Sequence, residues 1–275
     1  MNILFTGHRG FLGKELIPNL STECKIFTYD GDLCDNSSLV DFVNKNSISK
    51  VIHAAAKVSS RLKKDTSEDL IQNLIMTLNV VNLEIPVLTF CSGKVYGYQN
   101  SIINVSEDNA GDRYPEDYYG QAKYIIRKLI QDKQKVFIVR YFNVFGFYES
   151  PERFIKSNIL RYLKKEPMIV DQNITFDFFY VQDSLPIIKK WIADNEIPKE
   201  TNLVYFQKLT LKNICELINQ LDRHSVDIIT KKLDWGKDYF GSGKKLFELG
   251  YPLLGLEEGL RKVYEQMQAE QINLQ

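Results

Sequence analysis

Thr6-Gly7-His8-Arg9-Gly10-Phe11-Leu12-Gly13 follows the apolar run Ile3-Leu4-Phe5 directly. The pattern predicts a strand, a glycine turn and a helix that begins near Phe11. Glycines at these three positions suit a tight turn, close approach of backbone to a pyrophosphate, and close packing of helix on strand. The helix N-terminus would then face the phosphates. A glycine-rich turn that binds nothing is the alternative, but a strand before the loop and a helix after it favour a dinucleotide site. That site comprises Gly7, Gly10, Phe11, Leu12 and Gly13.

Composition limits the kinds of partner. The chain has 275 residues, with 35 basic residues balancing 35 acidic ones. No global field would attract nucleic acid or an anionic membrane, so we expect a small-molecule partner and neither of those two. Apolar runs stay well below the roughly 20 residues of a membrane span, and Met1-Asn2 leads into a strand without a signal segment. We therefore expect a cytoplasmic protein.

Metal and disulfide chemistry are not expected. The cysteines and histidines lack the spacing of zinc ligands, and no Cys-x-x-Cys pair occurs. They are Cys24, Cys34, Cys91, Cys215, His8, His53 and His224.

The order of predicted elements indicates an α/β protein. In the first half, strands at 25–29, 51–56, 86–91 and 135–141 alternate with helical segments, which is typical of a Rossmann-type, doubly wound parallel sheet. This predicts a dinucleotide-binding domain over 1–146, with 177–195 packing back onto it, and a smaller C-terminal substrate-binding lobe over 147–275. In the later part we expect helices at 154–164, 184–193, 211–221 and 257–271, and a strand at 176–181.

Further cofactor contacts are predicted at the ends of the next strands. An acidic residue after the second strand commonly binds the adenosine ribose, which suits Asp30 or Asp32; a turn or helix-capping role is the alternative for both. The small residues after the third strand would let the backbone approach a flat ligand, whereas His53 is expected to be a hydrogen-bonded core residue. Asn73, in a helix at 67–83, would need a specific partner if buried. The predicted contacts are Asp30, Asp32, Leu33, Ala54, Ala55, Ala56 and Asn73.

The chemistry is expected at Tyr119, Lys123 and Ser92. On a helix Tyr119 and Lys123 lie at i and i+4, so their side chains share one face. A nearby ammonium favours the phenolate, which lowers the pKa of Tyr119 so that it can act as a general acid or base. Ser92 would hydrogen-bond the substrate oxygen and fix its position. A tyrosine and a lysine one turn apart are common on surfaces, but the glycine loop and the hydroxyl residue after the fourth strand favour catalysis. Tyr119 and Lys123 would also bind the cofactor.

With these residues in place, the sequence resembles the extended short-chain dehydrogenase/reductase family, in the branch that acts on nucleotide-diphosphate sugars. The resemblance spans nearly the whole chain and implies an NAD(H) or NADP(H) cofactor and a nucleotide-diphosphate sugar substrate. It also implies that Asn143 contacts the sugar nucleotide and that Arg9 lies near an NADP 2′-phosphate. The matching segments are Thr6-Gly7-x-x-Gly10-x-x-Gly13, His53-Ala54-Ala55-Ala56, Asn73-x-x-x-Thr77-x-Asn79, Ser92-Gly93-Lys94-Val95-Tyr96-Gly97, Tyr119-x-x-x-Lys123, Arg140-Tyr141-Phe142-Asn143-Val144-Phe145-Gly146, Phe176-Asp177-Phe178 and Leu256-Glu257-Glu258-Gly259-Leu260.

Departures from the family pattern narrow the activity. Phe176 stands where the family has an arginine for the diphosphate, so either Arg153, Arg161 or Lys164 takes that role or the anion is bound less tightly. Gly93-Lys94 stands where the 4,6-dehydratases have an Asp-Glu pair, and Lys94 also replaces the cysteine of the epimerase-reductases. Neither dehydration nor 3,5-epimerisation is therefore expected, and Lys94 and Arg153 are assigned to the substrate.

Two enzyme activities remain, and one non-enzymatic role. The first is NAD(P)H-dependent reduction of the C4 ketone of a nucleotide-diphosphate 4-keto-6-deoxy sugar, with Tyr119 donating the proton. The second is an NAD-dependent C4 epimerase; the short C-terminal lobe favours the reductase. A cofactor-binding regulator ranks last, because Tyr119 and Lys123 are both present.

Arg9 favours NADP(H), whereas Asp30 favours NAD(H). Surplus apolar residues on the helices at 67–83 and 118–130 predict a homodimer.

Overall fold

The computed structural model describes residues 1–58, 64–97, 100–232 and 236–273, and the side chains within those ranges up to residue 270. The strands there are, in chain order, β1 Asn2–Thr6, β2 Lys25–Thr28, β3 Lys50–His53, β4 Val87–Ser92, β5 Ile102–Val105, β6 Val136–Tyr141, β7 Val144–Phe145, β8 Met168–Gln172, β9 Phe179–Tyr180, β10 Glu200–Leu203, β11 Ile228–Lys232 and β12 Tyr239–Gly241. The helices are α1 Phe11–Leu20, α2 Asn36–Lys45, α3 Ser67–Val81, α4 Tyr118–Ile130, α5 Phe154–Leu163, α6 Leu185–Asp194, α7 Leu211–Ile218, α8 Lys244–Glu248 and α9 Leu256–Asn273.

Six parallel strands form the central sheet, in the order β10-β6-β4-β3-β1-β2. Alternate residues of β1 enter the two faces, so that Ile3 and Phe5 pack in one core and Leu4 in the other. This confirms the predicted α/β, Rossmann-type fold. The carboxyl ends of β1, β3 and β4 lie side by side at one edge, which is where such sheets bind ligands.

The predicted division at residue 146 needs one correction. Glu200–Leu203, assigned to the smaller lobe, pairs in parallel with β6 and forms an edge of the central sheet. Within the segment 177–195, helix α6 packs against α1. There the buried Lys50 ammonium donates to the carbonyls of Trp191 and Ile192, 2.8 and 2.7 Å away, at the end of α6.

The rest of the chain carries short strand pairs, β8 with β11, β5 with β12 and β7 with β9. The strand expected over 176–181 shrinks to Phe179–Tyr180. Two causes are visible: the Asp177 carboxylate accepts from the backbone nitrogen of Gly241 at 2.7 Å, and a 3₁₀ turn begins at Val181. Both leave the flanking residues outside a regular ladder.

Helix α3 buries one face and leaves part of its apolar stripe exposed. Its buried residues are Asn73, Met76, Thr77, Val80 and Val81. Ile71 and Ile75 are exposed. This helix packs beside α4, whose Ile126 and Ile130 are buried while Leu129 is exposed. The surplus apolar side chains therefore remain uncovered by this chain's described residues.

In the described part of the chain, no helix combines the length and apolar character that crossing a membrane requires.

Candidate active site

The glycines of the loop let its backbone lie directly against the backbone of neighbouring segments. Gly7 has φ of 77°, and a Cβ placed there would lie 2.7 Å from the backbone nitrogen of Ala55. A Cβ at Gly13 would meet the Cα atom of His8 at 2.4 Å, so α1 lies directly on the loop. Gly10 precedes α1, and among the described residues no side chain caps its first turn. Free N–H groups at a helix N-terminus, reached by a loop whose glycines let the backbone approach closely, fit the pyrophosphate of a dinucleotide.

Asp30, which lies just after the second strand, contacts two side chains of the glycine loop. Its Oδ1 lies 2.6 Å from Nη2 of Arg9 and 3.1 Å from Nε2 of His8. Arg9 and Asp30 are both exposed at the mouth of the glycine loop, where an adenosine ribose would lie. The two residues that favour opposite cofactors are thus paired with each other.

Asp32 and Leu33 form the turn that follows. Oδ1 of Asp32 accepts from the backbone nitrogen of Cys34 at 2.8 Å, so the turn role applies to this carboxylate. Leu33 is buried, and its carbonyl accepts from Nδ2 of Asn79 at 2.9 Å. The helix α3 therefore fixes the backbone of this turn.

Asn73 has the specific partner that its burial requires. Its amide accepts from the nitrogen of Lys57 at 2.7 Å and donates to the carbonyl of the same residue at 2.9 Å. The interaction holds the chain just after Ala54, Ala55 and Ala56, which are half-buried. In this structure Asn73 thus shapes the cofactor side of the site through the backbone.

The Ser92 hydroxyl lies beside the Tyr119 phenol, close enough to lower its pKa. Ser92 ends β4, and Tyr119 lies in the first turn of α4. Burial raises the pKa of the Tyr119 phenol above its ordinary value, while the Ser92 hydroxyl and the charge of Arg153 oppose that rise. The phenol therefore holds its proton, where the sequence suggested that Lys123 would promote the phenolate.

Lys123 lies beneath the tyrosine. Its Nζ donates to the carbonyl of Phe90 at 2.9 Å and stands 5.8 Å from the centre of the Tyr119 ring. Burial lowers the pKa of this ammonium. The expected i, i+4 pair is present on α4, with the ammonium bound to β4.

His53 is a buried core residue, as expected. Its Nδ1 lies 2.8 Å from Oγ1 of Thr6, and its Nε2 lies 3.1 Å from Oγ1 of Thr77. Burial, with a smaller contribution from the Lys123 charge, lowers its pKa to about 3, so the ring is neutral. It links β1, β3 and α3 behind the site.

Two carboxylates that the sequence analysis missed hold the start of α4. Oδ1 of Asp117 caps the helix by accepting from the nitrogen of Gly120 at 2.8 Å, while its Oδ2 accepts from Nζ of Lys94 at 2.9 Å. Oδ2 of Asp65 accepts from the nitrogen of Tyr119 at 2.5 Å. An aspartate just before a helix is a recognisable capping signal. No local pattern reveals Asp65, 54 residues away from its partner.

Asn143 and Arg153, both assigned to the substrate, have hydrogen-bond or ion-pair partners within this chain. Nδ2 of Asn143 donates to the carbonyl of Asp177 at 3.2 Å, directly beside Phe176. Arg153, just before α5, is close enough for its charge to act on Tyr119. Its Nε lies 3.2 Å from Oε2 of the buried Glu149. Phe176 itself packs on aromatic rings and offers no charge.

Of the three cations considered for the diphosphate, Arg153 has the most suitable position. Arg161 pairs with Glu166 at 3.7 Å near the other end of α5, and Lys164 lies at that same end. The structure thus gathers Ser92, Tyr119 and Lys123 at one edge of the sheet, with Arg153 near them. Within the described residues, no group of three or more metal-ligating side chains is found.

Comparison with known proteins agrees with this geometry. Residues 3–203 match the family described as NAD dependent epimerase/dehydratase. A curated relative, GDP-6-deoxy-D-talose 4-dehydrogenase of Aggregatibacter actinomycetemcomitans, is 24% identical over 253 residues, which are 85% of this chain and 84% of the relative.

Two solved structures share the fold. UDP-glucose 4-epimerase of Thermotoga maritima with UDP-glucose superposes with a TM-score of 0.82 at 19% identity, covering 98% of this chain and 100% of that chain. RMD from Pseudomonas aeruginosa complexed with NADPH gives a TM-score of 0.81 at 21% identity, covering 98% and 99%. The predicted resemblance and the nicotinamide cofactor are thereby confirmed at the family level, and the chain belongs to the NAD-dependent epimerase/dehydratase family.

Proposed function

We propose that this protein uses NAD(P)H to reduce the C4 ketone of a nucleotide-diphosphate 4-keto-6-deoxy sugar. The observation that carries the proposal is the position of the buried Tyr119 phenol, which lies beside Ser92 at the end of β4 and over the Lys123 ammonium, and whose pKa is raised by burial. Reduction of a ketone needs a proton for the new hydroxyl, and a buried phenol beside a second hydroxyl can supply it.

Each residue has a role in that reaction. A bound reduced nicotinamide supplies the hydride. Ser92 orients the C4 oxygen, and Tyr119 transfers its hydroxyl proton to that oxygen. Lys123, bound to the carbonyl of Phe90, lies below the ring, where its ammonium form would stabilise the phenolate left behind.

The remaining site residues are proposed to bind the cofactor or the nucleotide-diphosphate sugar. The loop from Gly7 to Gly13, with Phe11 and Leu12 in the first turn of α1, would hold the pyrophosphate. Arg9 or Asp30, with Asp32 and Leu33, would meet the adenosine. Asn143 and Arg153 would contact the nucleotide-diphosphate sugar, with Arg153 replacing the arginine that is absent at Phe176.

The curated relative favours the reductase. Its name places its chemistry at C4 of a GDP-linked 6-deoxy sugar, the carbon proposed here, and a dehydrogenase and a reductase describe opposite directions of one reaction. Chain length does not favour it, contrary to the argument from a short C-terminal lobe, because a 4-epimerase is covered over 100% of its length. The C4 epimerase therefore stays as the alternative.

One experiment separates the two activities. The purified protein is denatured and the released nucleotide assayed; fresh protein is then offered NADH or NADPH with GDP-, dTDP- and UDP-linked 4-keto and 4-hydroxy sugars. A reductase is expected to purify largely free of cofactor and to oxidise one NAD(P)H per 4-keto sugar consumed. Stoichiometric bound NAD, with interconversion of 4-hydroxy epimers and no net NAD(P)H oxidation, would establish the epimerase instead.

A further inference from the structure

Ser92 and Tyr119 come from different elements, so their hydroxyls can share one substrate oxygen only if β4 and α4 are held in register. A path of three hydrogen bonds runs from the Ser92 hydroxyl to the backbone at the start of α4. The nitrogen of Lys94 donates to Oγ of Ser92 at 3.2 Å, and Nζ of Lys94 donates to Oδ2 of Asp117 at 2.9 Å. Oδ1 of Asp117 then accepts from the nitrogen of Gly120 at 2.8 Å.

Tyr119 lies between the two ends of the last bond, since it follows Asp117 by two residues and precedes Gly120. Its own backbone nitrogen is held separately by Asp65. The start of α4 is therefore fixed on one side by the β4 segment and on another by the residues that precede α3. A shift of Lys94 would move the cap of the helix turn that carries the catalytic phenol.

Energetics argue against a purely stabilising role for this ion pair. The side chains of Lys94 and Asp117 are each 35% exposed, and pairs at such exposure add little to global stability. Geometry at a catalytic centre is far more sensitive, because small displacements of reacting groups cost large factors in rate. Loss of such an ion pair should therefore lower the turnover rate more than it lowers the stability of the fold.

We infer that Lys94 is a positioning residue that acts through Asp117 to set the separation between the Ser92 and Tyr119 hydroxyls. This inference rests on the proposed function and revises the expectation that Lys94 contacts the substrate. Lys94 stands where other members of the family have an acidic residue or a cysteine. Here it holds the site in place and does not contact the substrate.

The test compares Lys94→Met, Lys94→Arg, Asp117→Asn and the double variant Lys94→Met/Asp117→Asn with the wild type, using NAD(P)H and the 4-keto sugar nucleotide that the panel identifies. Asparagine caps helices as well as aspartate does, so Asp117→Asn keeps the cap and weakens only the ion pair. Lys231→Met, which breaks the exposed pair with Asp171 on β11 and β8, is the matched control and should leave activity unchanged.

If Lys94 positions the helix, Lys94→Met and Asp117→Asn each lower kcat by a similar factor, roughly 10- to 100-fold, with little change in KM. The double variant is then no worse than either single one, because both break the same link. Lys94→Arg restores most of the rate. A raised KM at unchanged kcat for Lys94→Met alone, or multiplicative losses in the double variant, would overturn the inference in favour of direct substrate contact.

A second measurement does not depend on turnover. Crystal structures of the wild type and Lys94→Met with bound NAD(P)H should show the Ser92 and Tyr119 hydroxyls separated by about 0.5 Å or more in the variant than in the wild type. An unchanged separation contradicts the inference even if every kinetic assay fails. Failure of the proposed function appears differently, as a wild type that reduces none of the 4-keto sugar nucleotides.

Discussion

Arg9 and Asp30 form an ion pair at the mouth of the cofactor loop, with 2.6 Å between Nη2 of the guanidinium and Oδ1 of the carboxylate. A 2′-phosphate would attract Arg9 and repel Asp30, whereas free ribose hydroxyls would donate to Asp30. We therefore expect the competition between these two residues to set the cofactor preference.

The first prediction concerns that preference. Asp30→Asn should strengthen NADPH binding, because it removes the repelling charge and frees Arg9. Arg9→Met should weaken NADPH binding by about tenfold or more, since a hydrogen bond to a charged group contributes ~1.5–3 kcal/mol, and should leave NADH nearly unaffected. Fluorescence titration with each reduced cofactor measures both effects. A clear preference of the wild type for NADH would show that Asp30 outweighs Arg9.

The second prediction concerns the proton donor. Tyr119→Phe keeps the ring and removes the hydroxyl, so fold and cofactor affinity should persist while kcat falls by ~10²–10⁴-fold, the usual contribution of a general acid. Tyr118→Phe, at the exposed neighbouring position, is the matched control and should stay close to full activity. If Tyr119→Phe retained its rate, the assignment would fail and Tyr118 would be tested next.

The third prediction concerns assembly. Ile71, Ile75 and Leu129 are 48%, 40% and 50% exposed on the adjacent helices α3 and α4. We propose that a second copy of this chain covers them, forming a homodimer. Light scattering of the wild type at micromolar concentration should give twice the chain mass, and Ile71→Lys should shift it toward monomer. Ile229→Lys, at a similarly exposed position on β11, should not. A monomeric wild type would exclude the dimer.

Much of the fold could be predicted because its signals are local. The glycine loop, the alternation of strands and helices, and the i, i+4 spacing of Tyr119 and Lys123 all lie within short stretches. The failures involve partners distant in sequence. Pairing of Glu200–Leu203 with β6, and the bond from Tyr119 to Asp65, have no local pattern to reveal them.

In helix α3 the information missing from the sequence is of a different kind. Its apolar stripe predicts which face is hydrophobic, but not whether the sheet or a partner covers that face. The buried face carries Asn73 and Thr77, whose polar atoms are satisfied by Lys57 and His53. Specific hydrogen bonds of this kind make polar residues acceptable in a core, which hydrophobicity alone does not anticipate.

The fourth prediction concerns the loop glycine. Alanine at Gly7 would adopt a left-handed conformation, costing roughly 1–2 kcal/mol, and its Cβ would also press on the backbone of Ala54 and Ala55. Gly250 has φ of 66° with nothing within 4 Å of an added Cβ, so Gly250→Ala carries only the conformational cost. Urea unfolding should show a larger loss of stability for Gly7→Ala, and cofactor titration a loss of binding in that variant alone. If Gly7→Ala and Gly250→Ala lost equal stability and equal cofactor affinity, the close approach of Gly7 to the backbone of Ala54 and Ala55 would have no consequence.

The fifth prediction concerns Glu149, a carboxyl that is 2% exposed beside Arg153. Burial raises its pKa from 4.5 to about 8, against the opposing charge of Arg153 and the hydrogen bond from the nitrogen of Lys156. Because the folded state binds this proton more tightly than the unfolded state, its contribution to stability is complete below pH 4.5 and is lost as pH rises through about 8.

Glu149→Gln imitates the protonated acid at every pH and removes this dependence. Its free energy of unfolding, relative to wild type, should therefore rise progressively between pH 5 and pH 9 in urea titrations, while effects of other titrating groups cancel in the difference. Glu166→Gln, at an exposed carboxylate paired with Arg161, controls for loss of a surface charge. A difference between Glu149→Gln and wild type that stays constant across this range would show that Glu149 is ionised in the folded protein, and that Arg153 compensates fully for its burial.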